Sequence, residues 1–287
     1  MASVNQIVTE NILKMIASGE ILSWEKAFIR TKRNVNSKKN YSMLNQLMLS
    51  GDRSELFITP KKAGEIGLDF TGVKTRIVTF WGTVDKVIDG EKKKIWFLRY
   101  YRVFGLDQCP ESEVKTKLME KSGVYKNHTP LNEIDALIKK IGANIEVGES
   151  GRCFYSPADH AVSMPKLSTF TGVEEYYSAL FHELVHWTGH KTELDRHNKK
   201  YEYEKENTYS YEELVAELGS AMLMSHFGIS SPESFRNSAA YLKGWAKKLS
   251  EDCNMIISAS SKADKAVAYL LEKMGIATTT EAEAEAE

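Results

Sequence analysis

Two histidines four positions apart, with a glutamate directly after the first, make His182-Glu183-Leu184-Val185-His186 the stretch best equipped for chemistry. On a helix, residues i and i+4 lie one turn above each other, so His182 and His186 can close on one ion. Neutral imidazole is a zinc ligand, and a catalytic zinc site takes three protein ligands and leaves a fourth position open. A water in that position loses its proton near neutral pH, and Glu183 is placed to accept it. The pattern His-Glu-x-x-His on a helix is that of a zinc metallopeptidase. The plainer alternative is a helix that happens to carry two histidines.

A third ligand must come from elsewhere in the chain. Gly189 fits the longer pattern HExxHxxGxxH, but Thr192 stands where its last histidine belongs, and His190 and His197 fall at other offsets. The stretch Glu212-Glu213-Leu214-Val215-Ala216-Glu217 begins another helix. It resembles the N-E-x-x-S-D segment of thermolysin-like gluzincins. That resemblance implies Glu213 as a metal ligand and Glu217 as the acid that holds a ligand histidine from behind. The spacing of Ser210 and Glu213 also suits a capping box, which would leave Glu217 to the metal. Both acids could instead be surface residues. His190, Tyr209 and Tyr211 are candidate transition-state stabilisers.

The elements around these residues are legible from periodicity and turn chemistry. Thr171 and Glu174 have capping-box spacing, Leu180, Phe181 and Val185 give the HExxH helix an apolar face, and Gly189 suits its end. Short strands are expected at 144–147, 152–156 and 161–164, with Ala161–Met164 a candidate edge for an extended peptide. Upstream, Ile7, Val8, Ile12, Leu13 and Ile16 form one helical stripe over 5–20. The runs 76–84 and 94–104 read as a hairpin closed through Asp89-Gly90. Residues 106–129 read as a linker, and a helix starts at Thr129-Pro130 and stops near Gly142. Further helices are expected at about 233–249 and 256–273, before a low-complexity acidic tail expected to be disordered.

The predicted fold class is α+β with two domains. Residues 1–120 form a small α+β domain with a β-hairpin, and residues 121–275 a mainly helical zincin-like domain with a small antiparallel sheet. Residues 276–287 form the tail.

The net charge of −1 hides an asymmetry. Residues 1–130 hold 22 Lys+Arg against 14 Asp+Glu, or +8; the remaining 16 and 25 give −9. A basic half joined to an acidic half suggests different partners for each. Lys26, Arg30, Lys32, Arg33, Lys38 and Lys39 lie close together, with Phe28 and Tyr41 beside them. Cations neutralise phosphates and aromatic faces stack bases, so Lys32, Arg33, Lys38, Lys39 and Tyr41 are candidate DNA contacts. Phe57, Trp81, Trp96, Tyr100 and Tyr101 are further possible stackers, although strand aromatics are as often core. Three widely spaced cysteines, without a CxxC pair, fit a reducing compartment. No secretory leader and no apolar run of membrane-spanning length is present, so a cytoplasmic protein with no membrane partner is expected.

The segments NVNSKKNYSMLN, LFITPKKAGEIG, VKTRIVTFW, FYSPADHAVSMP, FHELVHWTGH, YEELVAELGSAML and AAYLKGWAKKL resemble the ArdC-type antirestriction proteins of plasmids and phages. The resemblance covers nearly the whole chain. It implies a single-stranded-DNA-binding domain followed by a zincin domain, and a role in shielding incoming DNA from restriction. It further implies a protein substrate near that DNA. The HExxH pattern itself calls for a bound Zn2+, and the sequence leaves open whether Mn2+ or another divalent ion takes its place. Two rival readings stay open: a DNA-binding protein with a structural metal, and a protease whose basic half docks an acidic protein.

Overall fold

A computed structural model describes residues 3–18, 31–88, 91–122, 131–148, 151–196, 205–229 and 244–277. It shows an α+β protein with two small sheets and one large core. The expectations for Lys26, Phe28, Arg30, the Asp89-Gly90 turn, the Thr129-Pro130 helix start, His197 and the tail from 278 onward lie outside the described residues.

The first half opens with α1 (Val4–Ser18), whose Val8, Ile12, Met15 and Ile16 are buried. Then follow β1 (Arg33–Asn34), α2 (Met43–Leu49), β2 (Leu56–Ile58) and α3 (Pro60–Glu65). Thr59 caps α3 by accepting from the Lys62 amide, with Pro60 at the first helical position. Strands β3 (Arg76–Ile88) and β4 (Glu91–Gly105) form the expected hairpin, longer at both ends. The sheet order is β1-β2-β4-β3, with β1 parallel to β2 and the other pairs antiparallel.

The stretch read as a linker is partly structured. A 3-10 turn (Leu106–Gln108) leads to α4 (Glu113–Ser122), whose low hydrophobicity hid its helical period. Cys109, buried beside Leu106 and Phe104, ties this stretch to the first half.

The second half holds α5 (Leu131–Ile141), β5 (Asn144–Gly148), β6 (Phe154–Ser156), β7 (Ala161–Pro165), α6 (Val173–Trp187) and α7 (Lys205–Phe227). A helical segment at 244–251 precedes α8 (Met255–Lys273). Helix α5 stops where Gly142 takes a φ of 79°, a left-handed conformation that glycine adopts without strain. The second sheet has the order β5-β7-β6 and carries one parallel pair, β5 with β7. Strand Ala161–Pro165 is therefore central, and the expectation that it offers a free edge is corrected. Its backbone is used on both sides, so β5 and β6 are the edges. The Thr171/Glu174 capping box is also absent. Gly172 is the N-cap of α6 and makes no side-chain cap bond.

The main core draws on both halves. Val8, Ile12, Leu44, Leu47 and Leu98 pack in one cluster with Phe181, Leu184, Leu214, Val215, Val267 and Leu270. Polar bonds cross the same boundary: the Thr9 hydroxyl donates to the Cys253 carbonyl at 2.8 Å, and the Met43 amide donates to Asp264 Oδ1 at 2.8 Å. Asp264 thus satisfies the first amide of α2 from a helix over two hundred residues away. Burial pushes its carboxyl up to about 7, and the Met43 bond only partly offsets this. A folded pKa raised above the ordinary 3.8 means a stabilising contribution that is full below about 4 and lost as pH rises through 7. The melting temperature of the parent protein, compared with Asp264→Asn, should therefore fall relative to the variant between pH 5 and 8. A difference that does not change with pH contradicts this.

Candidate metal centre

Helix α6 carries His182 and His186, and α7 carries Glu212, Glu213 and Glu217. The two helices can approach because α7 has Gly219 at the crossing. A Cβ there would lie 2.7 Å from Val185 Cγ2 and 3.1 Å from Cγ1. The Ser220 hydroxyl, one residue on, donates to the Ser178 carbonyl at 2.8 Å.

This packing brings His182, His186 and Glu213 together. The two Nε2 atoms are 3.1 Å apart. Glu213 Oε2 is 3.4 Å from His182 Nε2, and Oε1 is 3.3 Å from His186 Nε2. Metal–ligand bonds of about 2.0–2.1 Å in a tetrahedron place neighbouring donors about 3.3 Å apart. Similar bonds in an octahedron place them about 3.0 Å apart. Glu213 faces the two histidines through different oxygens, each at a spacing found between neighbouring donors around one divalent ion, and these spacings do not select one metal.

Glu217 stands behind the first histidine, its Oε2 3.3 Å from His182 Nδ1. That is the position of an acid which orients a ligand imidazole and fixes its tautomer. Glu212 Oε1 lies 4.0 Å from His186 Nδ1. The electrostatics favour positive charge here. Burial alone would push the His182 imidazolium down, but its contacts with Glu213 and Glu217 prevail and hold it up at about 10. Burial would raise Glu213, yet the two histidines keep its carboxyl well below the ordinary range. Glu183, next to His182, is 9% exposed.

Residues without a sequence signature complete the centre. Arg196 is buried and donates to Glu212 Oε1 at 2.7 Å, to the Val185 carbonyl at 2.6 Å and to Thr188 Oγ1 at 2.7 Å. It thereby clamps the end of α6 to the start of the ligand-bearing part of α7. Its partners become neighbours only in the fold. Two of the three candidate transition-state stabilisers have partners within the fold. His190 stacks on His160 at 3.9 Å, and the Tyr211 hydroxyl is 2.7 Å from Ser258 Oγ. The Tyr209 side chain lies outside the described residues.

The expected DNA contacts divide into two groups. Lys38 and Lys39 are exposed. Lys32, Arg33 and Tyr41 are buried, and the expectation that they face DNA is corrected. Lys32 Nζ donates to the carbonyls of Asp52 and Ser54, at 2.7 and 2.8 Å. Arg33 reaches the Ser122 carbonyl at 3.2 Å. Tyr41 packs edge-on against Phe57. These cations satisfy backbone carbonyls inside the fold, where phosphate cannot reach them.

The chain is similar over 96% of its length, at 31% identity and a TM-score of 0.75, to the crystal structure of the antirestriction ArdC protein from plasmid R388, of which it covers 98%. It belongs to the ArdC family of antirestriction proteins. Residues 2–104 match the family model for the N-terminal domain of anti-restriction factor ArdC, and residues 132–262 match that of a zincin-like metallopeptidase. The R388 ArdC protein has also been solved in a Mn(II)-bound form, with the same TM-score. A further relative is a DNA primase TraC of Escherichia coli, 27% identical over 83% of this chain. The chain spans only 24% of that primase's length.

Two changes test the packing that forms the centre. Gly219→Ala should cost about 1–3 kcal/mol through overpacking and lower the metal content of the purified protein. Arg196→Met should cost about 3 kcal/mol, because it leaves Glu212 without its buried cation. Unchanged melting temperature and unchanged metal content by elemental analysis would contradict both.

Proposed function

We propose that this ArdC-family protein binds single-stranded DNA and hydrolyses peptide bonds in proteins that meet that DNA. Residues 1–120 supply the DNA-binding part and residues 121–275 the peptidase. The observation that carries the catalytic reading is the donor triangle of His182, His186 and Glu213. The DNA reading rests on the basic first half and on family membership.

A divalent ion held by those three residues, Zn2+ or the Mn2+ seen in the R388 protein, would act as a Lewis acid on a water and on the scissile carbonyl. Glu183 is the base that accepts the water's proton and delivers it to the leaving amine. Glu217 keeps His182 in the tautomer that presents Nε2, while Glu212 and Arg196 keep His186 and the end of α6 in place. Strand β6 is an edge of the second sheet among the described residues, and it packs against α6, the helix that carries His182 and His186. It is therefore the strand proposed to pair with an extended substrate peptide. DNA binding would raise the local concentration of peptidase near its targets.

Glu183→Gln is the direct test. It should retain the metal, because Glu183 is not a ligand, and abolish the new protein N-termini that the parent generates in a bacterial lysate with single-stranded DNA and the divalent ion. The reading is that of a structural metal if the parent generates none, and the base is another residue if the variant still cleaves.

A further inference from the structure

With Lys32, Arg33 and Tyr41 inside the fold, the β3–β4 ribbon stands out as the basic, aromatic surface of the first half. Its base is anchored. Asn45 of α2 donates to the Thr79 carbonyl at 2.8 Å and accepts from the Thr79 amide at 2.7 Å. Val78 and Val103 are buried in one cluster and Leu98 in the main core. Beyond residue 80 the two strands have few buried side chains.

Three aromatic rings are exposed on this ribbon: Trp81 at 41%, Trp96 at 54% and Tyr100 at 43%. The register places them on one face, around Leu98 and Thr79, which are buried there against the main core and against Asn45 of α2. Trp81 is opposite Leu98, Thr83 opposite Trp96 and Thr79 opposite Tyr100, and directly opposed residues share a face. Lys92, Lys94 and Arg102 occupy the same face, opposite Val87, Asp85 and Ile77. Over 76–88 and 91–105 there are seven basic residues and two acidic ones. Lysines along an edge ribbon also discourage sheet-to-sheet aggregation, but exposed tryptophans work against that purpose. Their combination with lysine suits a partner that is both anionic and aromatic.

We infer that this face is a stacking platform for single-stranded DNA. The inference rests on the proposed DNA-binding function and locates its site. Nucleic acid offers phosphates for the lysines and π-faces for the rings. The spacing favours a single strand. Alternate residues along a strand are about 6.7 Å apart, so Trp96 and Tyr100, two such steps apart, are separated by about 13 Å. Stacked bases of a duplex strand rise by about 3.4 Å and are paired on their inner edges. Bases can lie flat on rings so spaced only if they leave the stack, which a single strand does at little cost.

The test uses the full-length protein and a fluorescently labelled 30-mer oligothymidylate, followed by anisotropy at several salt concentrations. The triple variant Trp81→Ala, Trp96→Ala, Tyr100→Ala should bind at least about 100-fold more weakly, taking about 5-fold per ring from the lower end of base-stacking energies. Its salt dependence should be unchanged. The variant Lys92→Ser, Lys94→Ser should reduce the slope of log K against log[salt] by about 1.4. The triple phenylalanine variant should restore most of the affinity, which loss of folding could not explain. Parent-like affinity in the alanine variant, with strong binding by the parent, overturns the ribbon assignment and leaves the DNA-binding function standing. No binding by the parent at low salt overturns both.

Discussion

The closeness of α6 and α7 is the constraint on which the metal centre depends. Neither helix holds three ligands. His182 and His186 share one face of α6, and Glu213 becomes a third donor only where α7 passes within reach. Gly219 lies so close to Val185 that any side chain there would force the two helices or Val185 to shift, and Arg196 ties the helices together near the histidines. The centre concentrates negative charge around two imidazoles, and contacts with Glu213 and Glu217 raise His182 above the ordinary imidazole range. The same charges would favour a divalent cation, so the site is prepared for a metal by packing as well as by chemistry.

The same packing joins the two halves. Thr79 at the base of the ribbon is bonded to Asn45 on α2, the first amide of α2 is bonded to Asp264 on α8, and α8 shares its core with α7. The proposed DNA platform and the ligand-bearing helix are therefore parts of one continuous hydrophobic and hydrogen-bonded body. A peptidase held to DNA through such a body acts on what lies near the strand, which gives a physical form to the targeting that the proposed function requires.

The helices and strands with strong periodicity were legible in the sequence: α1, the hairpin, α5, and the HExxH helix with the three short strands before it. Glu213 and Glu217 were visible as a pair of acids, but their division of labour depends on which imidazole atom each one faces, and only the helix crossing sets that. Helix α4 escaped because its sequence is mostly polar, so no apolar stripe marks it. The basic run misled for a related reason. Charge counts say nothing of direction, and Lys32 and Arg33 turn inward to carbonyls that the fold would otherwise leave unsatisfied. Arg196 and Asp264 act on partners remote in sequence or lacking any fixed spacing, and no local pattern announces them.

The central claim is that two histidines and Glu213 hold one divalent ion, and X-ray absorption at the zinc edge of the zinc-loaded protein tests it most directly. Two histidines and Glu213 around the ion should give nitrogen and oxygen neighbours only, at about 2.0–2.1 Å, with the outer scattering of two imidazoles. A sulfur neighbour at about 2.3 Å, or the signature of fewer than two imidazoles, would contradict it.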